Sequence, residues 1–376
     1  MPKNLVIVES PAKAHTIEKY LGKDFHVLAS VGHIRKDTKV DKDTFDVTYE
    51  IDPGHTKIIA DLKKAAAAAD TVWLATDEAR EGEAISWHLM EVLKLPKGTK
   101  RITFHEITKP ALEAAIQNPR KVDMDMVSSQ QARQTLDMLV GYDLSGVVRR
   151  KVPGAISAGR VQSPALRLIV EREKEIEEFA ASAKFKVTGK FLTKGKAELA
   201  ATLDKAFDTE RTAKNYLEKV AGADWQIADI TTSPGVRRPA PPFTTASMQI
   251  EANSRLGMST KATMSAAQAL YQAGLITYHR TDSLNLSKQA IAMTSRYVEE
   301  HFGKEYLQVR NFKTKSAGAQ EAHEAIRPTH IEQEVAGKNE YEKKLYRLIR
   351  NRTLATQMAD AQTEKTVVKI TTPSEP

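Results

Sequence analysis

An apolar segment near residue 75 runs directly into a cluster of acidic side chains. The sequence reads Val72-Trp-Leu-Ala-Thr-Asp-Glu-Ala-Arg-Glu-Gly-Glu83. Beyond Gly82 the apolar residues fall at helical spacing, so the acids are predicted to lie on a turn between a strand and a helix. Grouped carboxylates commonly hold a divalent cation, and ligands that are all oxygen favour Mg²⁺.

The first strand of the chain ends in similar chemistry. Leu5-Val-Ile-Val8 is predicted to be a short buried strand, Glu9 follows it, and Ser10-Pro-Ala-Lys13 begins a helix with a serine cap. If the two strands are neighbours in a parallel sheet, their carboxyl ends bring Glu9, Asp77 and Glu81 together. We therefore predict that these three residues form a Mg²⁺ site.

The acids also allow a simpler interpretation, in which they complement the dipole of a solvated helix start. We apply this interpretation to Glu78 and Glu83, and we keep the metal for Asp77 and Glu81 because two strand ends carry the same chemistry. In an extended turn, residues two apart share a side. Ala79 therefore interrupts what would otherwise be a row of three acids.

A tyrosine late in the chain lies in a dense polar segment, Gly274-Leu-Ile-Thr-Tyr-His-Arg-Thr-Asp-Ser283. The Tyr278 oxygen can attack a phosphodiester if a nearby cation favours phenolate and neutralises the transition state. Arg280 could supply both effects. In the alternative interpretation Tyr278 is a buried tyrosine with a hydrogen-bonded hydroxyl, and Arg280 pairs with Asp282.

Other segments carry groups that can contact phosphate. His323 and Arg327 lie one helical turn apart and could bind or protonate a phosphate, although a lone histidine is more often structural. In Ile156-Ser-Ala-Gly-Arg-Val-Gln-Ser163 the small residues let the backbone approach phosphate, while Arg160 and Gln162 offer donors. A glycine used for helix packing explains that segment equally well.

Basic groups also lie near the predicted metal end of the sheet. They are Lys13 and the run Val31-Gly-His-Ile-Arg-Lys36, each of which alone could be surface charge. The whole chain carries a net charge of +8, which indicates a polyanionic partner, with nucleic acid the leading one. We expect no membrane insertion, because no apolar run is long enough to span a bilayer.

The amino-acid composition restricts the class of protein and the kinds of site it can carry. The chain has 376 residues, 41% of them hydrophobic and 28% charged, which is typical of a soluble protein with several domains. It has no cysteine, which excludes disulfides, thiolate zinc sites and cysteine nucleophiles. The start of the chain is not a signal peptide, so a cytoplasmic location is expected.

Strand and helix patterns predict a multidomain fold of α/β plus α class. Residues 1–150 alternate short strands with helical stretches, which predicts a parallel α/β domain. Residues 151–183 are helical, 184–240 form a β segment closed by a proline-rich boundary, and 241–355 are mostly helical. Residues 356–376 begin a further β segment, and the chain ends there as if truncated.

Six motifs in order resemble the type IA family of bacterial DNA topoisomerases, over nearly the whole chain. They are Val8-Glu-Ser-Pro-Ala-Lys-Ala14, Ser30-Val-Gly-His-Ile-Arg35, Thr76-Asp-x-x-Arg-Glu-Gly-Glu83, Ser157-Ala-Gly-Arg-Val-Gln162, Ile276-Thr-Tyr-His-Arg-Thr-Asp-Ser283 and Glu321-Ala-His-Glu-Ala-Ile-Arg-Pro328. Primases and other Toprim proteins would match the acids but not the tyrosine segment. The resemblance implies a Rossmann-like Toprim domain, a helical gate domain that bears the tyrosine, and a partial β arch.

The same resemblance implies catalytic roles. Tyr278 becomes attached to a 5′ phosphate, and Arg280 positions that phosphate. Glu9 assists proton transfer to the leaving 3′ oxygen, and Lys13 stabilises charge there. His323 belongs to the predicted catalytic set, and Asp77 with Glu81 holds Mg²⁺ for religation. Relaxation of negative supercoils would need no ATP, because the covalent link conserves the phosphodiester energy.

Single-stranded or negatively supercoiled DNA is the expected partner of a protein that acts as a monomer in the cytoplasm, associated with the nucleoid. The predicted DNA contacts are mostly donors and one aromatic, as a single-strand groove needs. They are His33, Arg133, Gln134, Asp137, Tyr142, Arg149, Ser157, Ala158, Gly159, Arg160, Val161, Gln162, Arg280 and Arg327. Asp137 is the odd member, and its more ordinary role is to orient Arg133.

Two departures from the family pattern leave a second hypothesis open. Ala79 stands where the family has Asp, so Mg²⁺ affinity and religation are expected to suffer more than cleavage. The chain also ends before the Gly- and Arg-rich motif and the far half of the arch, so the resemblance leaves strand passage by this segment open. The second hypothesis is a single-strand DNA-binding fragment without turnover.

Overall fold

The computed structural model of the protein describes residues 3–41, 43–313 and 324–373. The chain divides into two compact units, of which one comprises Met1–Gln162 with Pro239–Ala359 and the other comprises Ser163–Arg238 with Asp360–Pro376. The division into five domains made from the sequence remains a prediction.

Strands occur in both units. Within the described residues they are β1 (Asn4–Val8), β2 (Phe25–Ala29), β3 (Arg35–Val40), β4 (Val47–Ile51), β5 (Thr71–Leu74), β6 (Lys100–Arg101), β7 (Phe185–Leu192), β8 (Glu198–Phe207), β9 (Gln226–Arg237) and β10 (Ala361–Thr371).

Helices make up most of the remaining regular structure. Within the described residues they are α1 (Pro11–Leu21), α2 (Thr56–Ala68), α3 (Arg80–Leu93), α4 (Lys109–Gln117), α5 (Met124–Leu139), α6 (Ser145–Lys151), α7 (Gln162–Glu177), α8 (Glu210–Val220), α9 (Thr245–Leu256), α10 (Thr260–Gln272), α11 (Lys288–Phe302) and α12 (Glu340–Thr356). A π-helical turn at Val140–Leu144 joins α5 to α6. Of the helices described, none is long and apolar enough to cross a membrane.

A parallel sheet with the strand order β2-β1-β5-β6 forms the centre of the first unit. Strand β1 lies between β2 and β5, with Val6 opposite both Val27 and Trp73. The predicted α/β class is therefore confirmed, and so is the prediction that the two acid-bearing strands are neighbours. Their carboxyl ends lie at the same edge of the sheet, which is where open α/β sheets place ligands.

Strand β1 is buried on both faces, which explains its continuous apolar sequence. Leu5 and Ile7 pack in one hydrophobic cluster with residues of α2 and α3. Val6 and Val8 point to the other face and share a second cluster with residues of α9, α10 and α12. Each fully buried side chain of this size contributes about 1.5–3 kcal/mol. The late helical region is thus fixed to one face of the early sheet.

The second unit is built from two antiparallel pairs of strands. Strands β7 and β8 form one pair and β9 and β10 form the other. The first part of the predicted β segment of residues 184–240 is therefore a hairpin of β7 and β8, and α8, which was not predicted, interrupts the segment. The proline-rich stretch is partly strand, because Ser233–Arg237 belongs to β9.

The solvated position predicted for Glu83 is wrong, because its side chain is fully buried. Its carboxylate accepts from Arg101 Nε at 3.2 Å, from both Arg120 terminal nitrogens at 2.6 and 2.9 Å, and from the Asp123 amide at 2.7 Å. Burial by itself raises the pKa of Glu83, but the two arginines outweigh it and the net pKa is lowered. Glu83 is therefore ionised and fully hydrogen-bonded inside the domain.

Glu83→Gln is expected to lower the free energy of unfolding by about 3 kcal/mol at pH 7, because it leaves buried arginine charge without its partner. A carboxylate whose pKa is depressed by folding stabilises above its ordinary pKa, and this stabilisation is lost as the pH falls through the folded-state pKa. Urea unfolding between pH 7 and pH 3 should therefore show a flatter acid limb for the variant.

The surface pair between Glu113 and Lys109 provides a matched control. These side chains are more than half exposed and lie 3.8 Å apart. Glu113→Gln should change the stability by less than about 1 kcal/mol, as is usual for exposed ion pairs. Equal effects of the two glutamine variants would contradict a special role for the buried carboxylate.

Candidate active site

The end of β1 and the start of α1 place Glu9 and Lys13 side by side. Ser10 caps the helix by accepting from the Lys13 amide at 3.3 Å, and Pro11 occupies the first turn, as predicted. This cap fixes the first turn, so the side chains of Glu9 and Lys13 lie one turn apart and face each other. Their charged atoms are 2.5 Å apart, and Lys13 is only 1% exposed.

The loop after β5 places Asp77. Arg101 is fully buried, and its terminal nitrogens donate to the carbonyls of Thr76 and Asp77, each at 2.8 Å. Thr76 Oγ1 donates to the Gly82 carbonyl at 2.6 Å. A Cβ at Gly82 would lie 2.0 Å from the Asp77 carbonyl oxygen, so only glycine lets the first turn of α3 approach this loop.

The tyrosine segment between α10 and α11 is docked against this edge of the sheet. The Tyr278 amide donates to the His105 carbonyl at 2.9 Å, and the Thr277 amide donates to the Arg327 carbonyl at the same distance. Gly274 has a φ of +74°, and a Cβ there would lie 2.5 Å from the Ile107 carbonyl. The backbone of Tyr278 is therefore held in place by the loop that follows β6.

A cavity of about 600 Å³ separates the acids from the tyrosine segment and is lined by both. The residues predicted from the sequence that line it are Glu9, Lys13, Asp77, Glu81, Arg133, Tyr278 and Arg280. The structure thus brings the Tyr278 side chain and the acids of the sheet to one cavity. Further lining residues are Ser10, Ala79, Arg80, Gly82, Ile85, Gln268, Tyr271, Gln272 and His279.

Lys13 is the electrostatic centre of the cavity. Its ammonium contacts the carboxylates of both Glu9 and Asp77 and lies 4.9 Å from the centre of the Tyr271 ring. Burial by itself raises the pKa of Asp77, but the Lys13 charge and the hydrogen bonds from Lys13 and Tyr271 outweigh it, and the net pKa is lowered. Asp77 is therefore a carboxylate at neutral pH.

Glu9 has the opposite tendency. Burial raises its pKa and the neighbouring Asp77 adds to the effect, while Lys13 only partly opposes it. Its second oxygen, Oε2, is buried and has no hydrogen-bond partner among the described residues. A carboxyl group with a raised pKa and an unused oxygen facing a cavity is suited to carrying a proton or meeting a cation.

Tyr278 is a protonated phenol in this structure. Burial raises the pKa of Tyr278 above its ordinary value, Asp77 raises it further, and Arg280 lowers it by less. Arg280 thus favours phenolate, as predicted, but burial and Asp77 outweigh its effect and the net pKa is raised. Nucleophilic attack by this oxygen must be accompanied by loss of its proton.

The side chains of Glu9, Asp77 and Glu81 are not arranged as a metal site in this structure. In the ranges that the structure describes, no three His, Cys, Asp or Glu side chains are arranged to hold one ion. Lys13 lies between Glu9 and Asp77, and Glu81 pairs with Arg133 at 3.0 Å. The donor chemistry still fits a hard cation, since all three acids offer oxygen and Glu9 Oε2 is unused. The metal assignment stays a prediction.

Ala79 occupies the helix cap between Asp77 and Glu81. Its φ of −134° and ψ of 165° are those of an N-cap residue, and it makes no side-chain capping bond. Aspartate is among the preferred residues at this position of a helix, so alanine leaves the start of α3 without a side-chain cap and adds no carboxylate to those of Asp77 and Glu81.

Helix α5 does not pair its own charges as the sequence suggested. Arg133 pairs with Glu81, while Asp137 accepts from Arg160 Nε at 2.6 Å and from its terminal nitrogen at 3.1 Å. The prediction that Asp137 orients Arg133 is wrong, because each residue has a partner on another segment. Gln134 donates to Asp37 of β3 at 2.5 Å.

The segment Ser157–Gln162 lies beside α6. Ser145 donates to the Ala158 carbonyl at 3.1 Å and accepts from its amide at 2.9 Å, which ties the segment to the helix. Val161 is 66% exposed and Tyr142 is 72% exposed. These residues are available to a ligand, and their predicted DNA contacts stay predictions.

The remaining predicted residues lie away from the cavity or outside the described ranges. Arg327 is 4% exposed and pairs with Glu324 at 2.6 Å and with Glu106 at 2.8 Å. Arg327 does not line the cavity, its carbonyl accepts from the Thr277 amide at 2.9 Å, and its predicted DNA contact stays a prediction. His33 is exposed beyond the end of β2, and Arg149 Nε donates to the Ser145 carbonyl at 3.2 Å. His323 lies outside the described residues.

Sequence reasoning missed two aromatic residues of the cavity. Tyr271, which is 2% exposed, donates to Asp77 Oδ1 at 3.1 Å and packs its ring 5.1 Å from that of Tyr278. His279 is also 2% exposed, with its ring 5.4 Å from that of Tyr278. Tyr271 lies on α10 with no charged neighbour to mark it, whereas His279 directly follows the predicted nucleophile in sequence.

Comparison with known proteins identifies two families along the chain. The family described as DNA topoisomerase matches residues 121–375, and the Toprim domain matches residues 4–107. The first of these covers more than half of the chain.

Individual relatives agree with this result. The chain is 45% identical to DNA topoisomerase 1 of Campylobacter jejuni, over 98% of this chain and 57% of that protein. It is 44% identical to DNA topoisomerase 1 of Xylella fastidiosa, over 98% of this chain and 50% of that protein. The chain thus spans about half the length of the curated relatives it matches.

A solved structure matches the fold as well as the sequence. Full-length topoisomerase I from Thermotoga maritima aligns with a TM-score of 0.83 and 36% identity, covering 99% of this chain and 64% of that one. The likeness extends over the sheet, the late helices and the paired strands. The chain therefore belongs to the bacterial type IA DNA topoisomerase family and carries that family's Toprim domain.

Proposed function

We propose that the protein cleaves and rejoins one DNA strand at a time through Tyr278, as a DNA topoisomerase. The observation that carries this proposal is the shared cavity, which Tyr278 and Arg280 line from one side and Glu9, Lys13 and Asp77 line from the other. A phosphodiester in this cavity meets a nucleophile, a cation and a proton donor at once.

In the proposed cleavage step, the Tyr278 oxygen forms a bond to phosphorus as the bond from phosphorus to the 3′ oxygen breaks. The phenol gives its proton to water in the cavity, and the leaving 3′ oxygen gains a proton from the Glu9 carboxyl group, whose pKa is raised by burial. Arg280 and Lys13 balance the negative charge that develops on the phosphate oxygens. Reversal of these steps rejoins the strand.

Mg²⁺ is the proposed cofactor, held by Asp77 and Glu81 with Glu9 nearby. When bound, it supplies positive charge and a fixed orientation for the phosphate during resealing. Arg133 pairs with Glu81 and Lys13 contacts Asp77, so both carboxylates already have a cationic partner. When Mg²⁺ binds, Asp77 would contact both Lys13 and the metal, and Glu81 would contact both Arg133 and the metal.

Single-stranded DNA is the proposed substrate, bound by the exposed donors of α5, α6 and the segment Ser157–Gln162. Positive charge supports such binding, because phosphate contacts release counterions. We propose that the protein relaxes negatively supercoiled DNA without ATP, as a monomer in the cytoplasm, close to the nucleoid.

An end-labelled oligonucleotide tests the proposed function. A single-stranded oligonucleotide labelled at either end is incubated with the protein and the mixture is denatured. Attachment through a 5′ phosphate predicts that the 3′ label travels with the protein and the 5′ label does not. Transfer of the 5′ label would contradict the proposed polarity.

The second candidate function is single-strand DNA binding without turnover, and Ala79 favours it. The loss of a carboxylate from the cavity weakens cation binding on the path to religation. The same labelling experiment separates the two candidates, since a binder retains the oligonucleotide on a native gel and releases both labels on denaturation.

A further inference from the structure

We infer that His279 is a substrate-contacting residue that donates a hydrogen bond to a non-bridging oxygen of the phosphate attacked by Tyr278. This inference rests on the proposed function and adds a phosphate ligand to the same cavity. It begins from the unsatisfied polar atoms of a buried side chain.

The His279 side chain is 2% exposed, and neither ring nitrogen has a hydrogen-bond partner among the described residues. Buried polar groups are satisfied in nearly all native structures, so each exception calls for a partner that binds later. His279 lines the cavity, and a ligand there can reach it. Its surroundings are otherwise aromatic, with ring centres 5.4 Å away at Tyr278 and 5.9 Å away at Tyr271.

The backbone of His279 is held firmly. Thr245, at the start of α9, donates to the His279 carbonyl at 2.8 Å, and its amide donates to the Thr281 carbonyl at 2.9 Å. These bonds fix the backbone from which the imidazole projects, and the aromatic rings of Tyr278 and Tyr271 pack near it. A fixed donor beside the nucleophile is the arrangement that stabilises charge as it develops on a phosphate.

The ring is neutral, which suits it to hydrogen bonding rather than ion pairing. Burial lowers the pKa of His279 to about 4, and Arg280 contributes in the same direction. A neutral imidazole carries one N–H donor and one acceptor nitrogen. It can therefore contact a phosphate oxygen next to Arg280 without adding a repelling positive charge.

Phosphate, rather than the base or the sugar, is the group that fits this position. Tyr278 must reach phosphorus, and its ring lies 5.4 Å from that of His279, so the oxygens of the same phosphate come near the imidazole. Arg280, which follows His279 in the sequence, also lines the cavity. The three consecutive residues Tyr278–Arg280 thus supply a nucleophile, a neutral donor and a cation to one group.

Two substitutions of His279 test the inference through the rate of adduct formation. His279→Phe keeps the ring but loses the donor, and it is expected to slow adduct formation about 100-fold, the usual loss for one oxyanion donor. His279→Gln keeps an N–H group and is expected to retain the rate within about tenfold of the wild-type value. Affinity for the uncleaved oligonucleotide should change far less than the rate.

Measurements of stability distinguish a phosphate contact by His279 from a role in packing. His279→Phe removes two unsatisfied buried nitrogens, so its melting temperature should equal or exceed that of the wild type while its rate falls. His88 is a matched control, because it is also 2% exposed with an unpaired Nδ1 but does not line the cavity. His88→Phe should leave the rate of adduct formation unchanged.

A second measurement needs no turnover. In protein carrying Tyr278→Phe and ¹³C-labelled histidine, the His279 resonance is assigned by its loss in the His279→Gln variant. Addition of oligothymidylate should shift this resonance. An oligothymidylate with uncharged methylphosphonate linkages should shift it much less when the same fraction of the protein is bound.

The outcomes distinguish this inference from the proposed function. A missing adduct in the wild-type protein would remove the proposed function, and the histidine resonance would still decide the phosphate contact. Wild-type rates for His279→Phe, or an unmoved resonance in protein that binds the oligonucleotide, would overturn the inference. An equal loss of rate in the Phe and Gln variants together with lowered stability would also overturn it.

Discussion

Replacing Tyr278 with phenylalanine is expected to abolish the covalent adduct with DNA while leaving the affinity for single-stranded DNA nearly unchanged. The substitution removes only the attacking oxygen, and loss of a nucleophile lowers the rate of a covalent step by at least about a thousandfold. Tyr278 is 8% exposed and packs in the core, so a phenylalanine of nearly equal volume preserves the fold. Denaturing gels measure the adduct, and fluorescence anisotropy measures the affinity.

Tyr271→Phe is the matched control for this prediction. Its hydroxyl is in the same cavity and bonds to Asp77, and burial together with Asp77 raises its pKa well above the ordinary value. We expect this variant still to form the adduct, because the lost hydroxyl supports Asp77 and does not attack phosphorus. An adduct that persists in Tyr278→Phe and disappears in Tyr271→Phe would show that the other tyrosine is the nucleophile.

Ala79→Asp is expected to tighten Mg²⁺ binding roughly tenfold or more, since a gain of about 1.4 kcal/mol is enough for that factor. The residue lines the cavity between two carboxylates, and an added acid there increases the attraction for a divalent cation. Resealing of a cleaved strand should become faster at limiting Mg²⁺. Titration calorimetry measures the affinity, and decay of the adduct after addition of Mg²⁺ measures resealing.

Ala79→Ser separates the charge from the helix cap. Serine and aspartate both cap helices, and either should raise the free energy of unfolding by about 1 kcal/mol at this uncapped position. Only aspartate adds a carboxylate, so only aspartate should change the Mg²⁺ dependence. Equal Mg²⁺ affinities for the Ser and Asp variants would remove the metal interpretation of residues 77–81.

The edge of the sheet could be predicted because its signals are local. A short apolar run followed by an acid marks the end of a buried strand, and the parallel order of β1 and β5 then fixes where both acids lie. Ser10 and Pro11 likewise specify the start of α1 through short-range capping. These features depend on backbone geometry that a few neighbouring residues determine.

The partners of individual charges could not be predicted, because they come from distant parts of the chain. Glu83 follows the acid cluster and looks like another solvated helix residue, yet Arg101 and Arg120 surround it in the core. Arg133 and Asp137 have ideal spacing for a pair, yet each finds a partner elsewhere. Spacing along a helix indicates which side chains of that helix can contact each other. It does not indicate whether a contact with another segment is stronger.

The protonation state of Tyr278 could not be predicted from the sequence either. Sequence places Arg280 two residues from Tyr278, which favours phenolate, but the degree of burial decides the sign of the shift. Burial depends on the docking of the late helices onto the sheet, and no local pattern reports it. His279 illustrates the point further, since its unsatisfied nitrogens become visible only when its surroundings are known.

The most direct test of the central claim locates the bond between protein and DNA. Protein trapped with an oligonucleotide by denaturation is digested with protease and nuclease, and the modified peptide is sequenced by mass spectrometry. We predict a nucleotide joined through its 5′ phosphate to Tyr278, within the peptide that contains Arg280. Attachment to Tyr271, to a serine or to no residue of the cavity would contradict the account.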